Sequence, residues 1–207
     1  MASIVERSDS VVQLREIGWD VYVALRASPE NRNVRMTYDR GTLEITSPSK
    51  LHERIAELLA RMVQTWTEQR GIPIQSCGSV TFQRPDLARG LEPDKCFYIA
   101  HESVVRERED LDLAVDPPPD LVIEVDVASL SRDRLPLYAA LRAGEVWLWR
   151  KERLQVVRLD DSGRYQERPA SAALPGFPLT EAQRLLTERT RRDETSIIRE
   201  FRAMIGG

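Results

Sequence analysis

The segment PPPDLVIEVDVAS, residues 117–129, constrains the fold more than any other part of the chain. Its three prolines fix an extended approach and exclude a helix until they are passed. Behind them the residues alternate faces, as they must in a strand. Leu121, Ile123, Val125 and Val127 form one wholly apolar face; Val122, Glu124, Asp126 and Ala128 form the other. A face of that kind needs a layer packed against it, which places the strand inside a sheet covered by helices. The second face holds two carboxylates that point the same way. A wet outer surface would account for them. Val122 and Ala128 bound the acids, however, and that pattern fits a pocket equally well.

The remaining elements read around this strand. The stretch DSVVQLREIGWDVYVALRASPEN, residues 9–31, is mixed and amphipathic and predicts one or two short helices. VRMTYDRGTLEITSP predicts a hairpin turning at Asp39-Arg40-Gly41. From Ser49 the apolar positions Leu51, Ile55, Leu58, Leu59, Met62, Val63 and Trp66 predict a long helix, closed by Gly71 and Pro73. On that helix His52 falls inside the apolar stripe and Glu53 outside it. IPIQSCGSVTFQRP and GLEPDKCFYIAHE read as consecutive strands, and RERED as a charged loop. RLPLYAALRAG predicts a helix capped by Ser131 or Asp133, with Pro136 in its first turn and Gly144 just past its end. EVWLWR and LQVVRLD are two further strands, and residues 180–205 a terminal helix broken near its charged middle. The expected architecture is a single α/β (α+β) domain with a mixed central sheet flanked by helices. Its parts are an N-terminal helical segment (1–33), a core (34–160) and a C-terminal extension ending in a helix (161–207), all packed together.

A chain of 207 residues, 42% hydrophobic and 30% charged, can bury one sizeable core. The formal net charge of −3 advertises no nonspecific grip on nucleic acid, which normally rests on neutralising phosphates. Local patches or bound metal ions would have to supply that attraction. Cys77 and Cys96 show neither a CxxC spacing nor a nearby histidine pair, and read as small buried residues in a reducing cytosol. No charged leader precedes an apolar core, and no apolar run approaches twenty residues, so a cytoplasmic protein with no membrane partner is expected.

A second acidic clue is LEPDKCFYIA. Asp94 opens a strand there, with Cys96 and Tyr98 on its face. Carboxylates converging from neighbouring strands repel unless they are protonated or bridged by a cation. Hard oxygen donors suit magnesium or manganese.

The order of these motifs resembles the PD-(D/E)XK, restriction endonuclease-like superfamily of phosphodiesterases. More closely, EITSPSKLHERIAELLARMV, GLEPDKCFYI, PPPDLVIEVDVAS and DRLPLYAALRAGEVWLWR resemble the Uma-two family of small bacterial endonucleases, from about Arg35 to Leu159. The resemblance implies a restriction endonuclease-like core and a metal-dependent endonuclease acting on nucleic acid, DNA first. Asp94 and Glu124 would be metal ligands for Mg2+ or Mn2+, joined by the backbone carbonyl of Val125. The superfamily's lysine is replaced here by Asp126. Relatives that move the basic group to the following helix imply Arg134, four residues before Tyr138 and on its helical face. Arginine can stabilise phosphoryl charge but cannot act as a base, so Asp126 is left either to help activate water or to bind a second metal. His52 is the expected contribution of the long helix, with Gln83 a weaker candidate for the same groove. Lys95 should point away from Asp94, and Trp147 and Trp149 should be core. The alternative is a degenerate nuclease fold serving as a nucleic-acid or protein binding module. A homodimer is the expected assembly, by analogy with other folds carrying exposed strands.

Overall fold

The computed structural model describes residues 9–127 and 133–206. Two sheets carry the fold. The six-stranded mixed sheet runs β11-β10-β9-β8-β7-β4, built from β4 (Gln75–Gly78), β7 (Lys95–Tyr98), β8 (Leu121–Asp126), β9 (Glu145–Arg150), β10 (Arg153–Leu159) and β11 (Tyr165–Arg168). The five-stranded antiparallel sheet runs β1-β3-β2-β6-β5, from β1 (Ser10–Leu14), β2 (Arg35–Asp39), β3 (Thr42–Ser47), β5 (Phe82–Arg84) and β6 (Arg89–Leu91).

Strand β8 is interior, as its sequence requires. It pairs antiparallel with β7 and parallel with β9. Leu121, Ile123 and Val125 enter a core with Trp147 and Trp149 of β9 and Ile55, Leu59 and Val63 of helix α2 (Lys50–Arg70). Helices α5 (Leu179–Thr187) and α6 (Glu194–Ile205) close that layer through Leu185, Ile198 and Phe201. On the opposite face Val122 and Val146 meet Leu137 and Tyr138 of helix α4 (Leu135–Ala140). Helix α2 begins where Ser49 Oγ accepts from the His52 backbone N–H at 3.2 Å. It ends at Gly71, whose φ of 59° is the left-handed cap that the sequence called for.

Several expectations are corrected. Residues 10–14 form edge strand β1 rather than a helix: pairing with β3 satisfies the backbone of the β-branched pair Val11-Val12. Helix α1 (Trp19–Ala27) and one turn of 3-10 helix follow. The stretch read as one strand from Ile72 is split between the two sheets, because the chain turns at Gly78 (φ 56°) before β5. A short helix α3 (Glu102–Val105) precedes the RERED loop. Helix α4 stops at Ala140; Arg142, not Gly144, takes the left-handed conformation. The break in the terminal helix falls where Asp193 caps α6 by accepting from the Ser196 N–H at 2.9 Å. Ala128 and Ser131 lie outside the described residues.

Between β6 and β7 the chain passes from one sheet to the other through Glu92-Pro93-Asp94. Glu92 is a buried tie across that passage. It accepts from the Met36 N–H at 3.1 Å and from Thr81 Oγ1 at 2.7 Å, and pairs with Arg26 at 3.0 Å.

Candidate active site

The β7–β8 ladder sets Lys95 opposite Ile123 and Cys96 opposite Val122. One step further along the same register, Asp94 comes opposite Glu124. Asp94 is only 1% exposed. Its Oδ2 accepts from the Val125 N–H at 2.7 Å, while Oδ1 lies 2.9 Å from His52 Nε2 and contacts the Arg35 guanidinium from β2. His52 reaches the site because the apolar stripe of α2 turns it inward; Glu53 stays outside and pairs with Arg35 at 2.6 Å. Behind His52, Asp9 Oδ2 lies 3.0 Å from Nδ1, and Asp9 Oδ1 accepts from the Ser49 N–H at 2.7 Å. Burial raises the Asp9 carboxyl, but the His52 and Ser49 hydrogen bonds outweigh it and hold its pKa below 3.8.

Glu124 is held from α4. The Tyr138 hydroxyl donates to Oε1, and Arg134 Nη1 donates to Oε2 at 3.2 Å. Arg134 also faces Glu44 of β3, with Nη2 3.5 Å from Oε1. Burial acts to lower the Arg134 pKa, and the charges around it, Glu124 first, more than reverse that. Burial, reinforced by Glu124, pushes the Tyr138 hydroxyl well above 10, so it remains a proton donor. Asp126, on the same strand face as Glu124, accepts from Arg150 Nε at 2.9 Å.

A cavity of about 110 Å³ opens beside these groups, lined by Thr46, His52, Glu124, Asp126, Arg134 and Arg150 among others. The Thr46 hydroxyl is buried and has no hydrogen-bond partner among the described residues. Asp94 does not line the cavity; His52 and Arg35 hold it from one side and Val125 from the other.

The structure thus gathers His52, Asp94, Glu124, Val125, Asp126 and Arg134 at one place. It leaves Gln83 out: that residue sits on β5 of the other sheet, opposite Gly90 of β6. Lys95 points to the far face and pairs with Glu57 at 2.9 Å. Three residues escaped the sequence reading: Asp9, Arg35 and Glu44. Arg35, Thr37 and Asp39 on β2, with Glu44 and Thr46 on β3, occupy alternate positions of the hairpin. Against the second sheet they are largely buried. Acids and bases mixed on that face were the available signal.

The donor chemistry fits a hard divalent cation. Among the described residues no group of three or more His, Cys, Asp or Glu could hold a metal ion. Magnesium needs only one or two protein carboxylates, completing its shell with water and phosphate. Asp9, Glu44, Asp94 and Glu124 are buried against Arg35, Arg134 and His52, and this surplus of negative charge favours a cation.

Among the described residues no helix is long and apolar enough to cross a membrane. No curated protein matches the chain. A crystal structure of a putative nuclease of the DUF820 family from Anabaena variabilis aligns with a TM-score of 0.55 at 14% identity, covering 76% of this chain and 91% of that one. At that identity the likeness establishes the fold, which is restriction endonuclease-like. Residues 19–189 match Uma2, described as putative restriction endonuclease. Asp9 lies outside the matched span. The chain belongs to the Uma2 family.

Proposed function

We propose that this protein is a metal-dependent endonuclease of the cytoplasm that hydrolyses phosphodiester bonds of DNA. The observation that supports it best is the placement of Asp94, hydrogen-bonded to the Val125 N–H just before β7, next to Glu124 of β8, within a surplus of buried negative charge beside an open cavity. Asp94, Glu124 and the Val125 carbonyl would hold Mg2+ or Mn2+. Bound there, the ion would polarise the scissile phosphate and lower the pKa of an attacking water. Arg134 neutralises charge developing on the phosphoryl oxygens and stays protonated throughout. Tyr138 fixes the orientation of Glu124, and His52 fixes that of Asp94 from the opposite side. Asp126 lies at the cavity wall, where it accepts the proton of the water; the partly exposed Arg150 pairs with it there and holds its orientation.

The test is cleavage of supercoiled plasmid, linear duplex and single-stranded DNA with magnesium, manganese or EDTA, beside an Asp94→Asn, Glu124→Gln double variant. Cutting that needs the metal and disappears in the double variant is the expected result. Equal cutting by both proteins exposes a contaminant. The second reading is a binding module. It is favoured by Asp126 in the lysine position and by the arginines that already pair with both carboxylates. No cutting on any substrate, with DNA retarded in a gel, would select it.

A further inference from the structure

Cys77 and Cys96 sit on neighbouring strands, and the pairing between those strands is irregular where they meet. Strand β4 pairs with β7 through Ser76 opposite Phe97 and then Gly78 opposite Cys96. Cys77 is therefore an extra residue, inserted as a bulge beside Cys96, with Gly78 in the left-handed conformation behind it. The bulge sets Cys77 beside Cys96 across the two strands, and Cys96 Sγ donates to the Gly78 carbonyl at 3.6 Å. Both pack in the apolar cluster that contains Val122 and Tyr138. Two small hydrophobes filling a core would explain their composition. They do not explain the difference in access: Cys96 is fully buried, whereas Cys77 is partly exposed. A solvent-reachable thiol backed by a second thiol that solvent cannot reach is the layout of an attacking and a resolving cysteine.

We propose that Cys77 and Cys96 form a reversible dithiol–disulfide site, oxidised by hydrogen peroxide. The Cys77 thiolate attacks one peroxide oxygen and the O–O bond breaks, giving a sulfenic acid on Cys77 and a hydroxide that takes up the thiol proton as water. The Cys96 sulfur then attacks the Cys77 sulfur. The S–S bond forms, the S–O bond breaks, and the departing hydroxide leaves as water with the Cys96 proton. One peroxide and two thiols become one disulfide and two waters, and a thiol reductant reverses the change. The new bond would tie β4 to the strand that Asp94 opens.

The reduced full-length protein is exposed to hydrogen peroxide and followed by intact mass, by titration of free thiols and by peptide mapping without reductant. Both thiols are expected to disappear together with the loss of two hydrogens in mass. The peptides carrying Cys77 and Cys96 should be joined within one chain and freed by dithiothreitol, and the oxidised protein should melt at a higher temperature. In Cys96→Ser the Cys77 sulfenic acid should persist and be trapped by dimedone; in Cys77→Ser the Cys96 thiol should survive the same dose. The proposal is overturned if Cys77 gains oxygen while Cys96 stays reduced in the wild type. Cross-links only between chains, or survival of both thiols, would overturn it too. The wild-type mass readout stands even if a variant fails to fold.

Discussion

Asp9 holds His52 from the side opposite Asp94: its Oδ2 lies 3.0 Å from Nδ1, while Nε2 faces Asp94 Oδ1 at 2.9 Å. Replacing Asp9 by alanine strands the Ser49 N–H and one imidazole nitrogen in buried surroundings. Each such loss costs about 1–3 kcal/mol, so Asp9→Ala should lower the urea midpoint while leaving the slope of the transition unchanged.

The same carboxylate gives the fold an acid sensitivity. Its folded pKa lies below 3.8, so on acidification the unfolded chain takes up this proton first. The stabilisation is complete above the unfolded value and drains away as pH falls through the folded one. Wild type and Asp9→Asn should differ in stability at neutral pH and converge in strong acid. A constant difference across thermal melts at descending pH would rule this out.

Arg134 and Glu124 form a mostly buried pair, with side chains 9% and 10% exposed. Removing one partner leaves an uncompensated charge, at a cost of about 3–5 kcal/mol. Arg134→Met and Glu124→Gln should each destabilise strongly, and the double variant should lose less than their sum. A denaturation cycle measures the coupling; strict additivity would show that the pair does not interact.

Tyr22 is fully buried, and burial first, with the Glu92 charge adding to it, pushes its pKa up to about 12. Its contribution is present in full below the ordinary value of 10.0 and is lost as pH climbs from there to about 12. A shift of that size is worth about 2–3 kcal/mol. Wild type should therefore lose stability more steeply than Tyr22→Phe above pH 10, as read by chemical denaturation at a series of alkaline pH values.

Gly90 makes room for that same ring. A Cβ built on it would stand 2.8 Å from two Tyr22 ring carbons. Gly90→Ala should cost about 1–3 kcal/mol through overpacking, and adding Tyr22→Ala should recover part of the loss relative to additivity. Unchanged stability in Gly90→Ala would mean that α1 yields freely.

Local chemistry made much of this legible. Ser49 and Gly71 bracket α2 because capping is decided by a few adjacent residues. The alternation in β8 placed Glu124 and Asp126 on one face, and the position of Asp94 at a strand start brought it into register with them. The helical spacing of Arg134 and Tyr138 turned both toward Glu124. What stayed hidden depends on which surfaces meet. The acids and bases of β2 and β3 look solvent-facing until a second sheet covers them, and nothing near Asp9 in sequence points to His52, forty-three positions away. Cys77 and Cys96 looked unrelated for the same reason: only the β4–β7 bulge makes them neighbours.

Arg35 and Glu44 belong to one sheet and Glu124 to the other, with Asp94 at the entry to β7 of that second sheet. The polar groups thus lie along a seam, and their geometry lasts only while the two sheets remain docked. A partial opening that frees β2 and β3 would dismantle the site without melting the α2–β8 core, at less than the cost of global unfolding. Whatever binds along the seam acts as a clasp between the two layers, slowing amide hydrogen exchange in β2 and β3, remote as most of those amides are from the ligand itself.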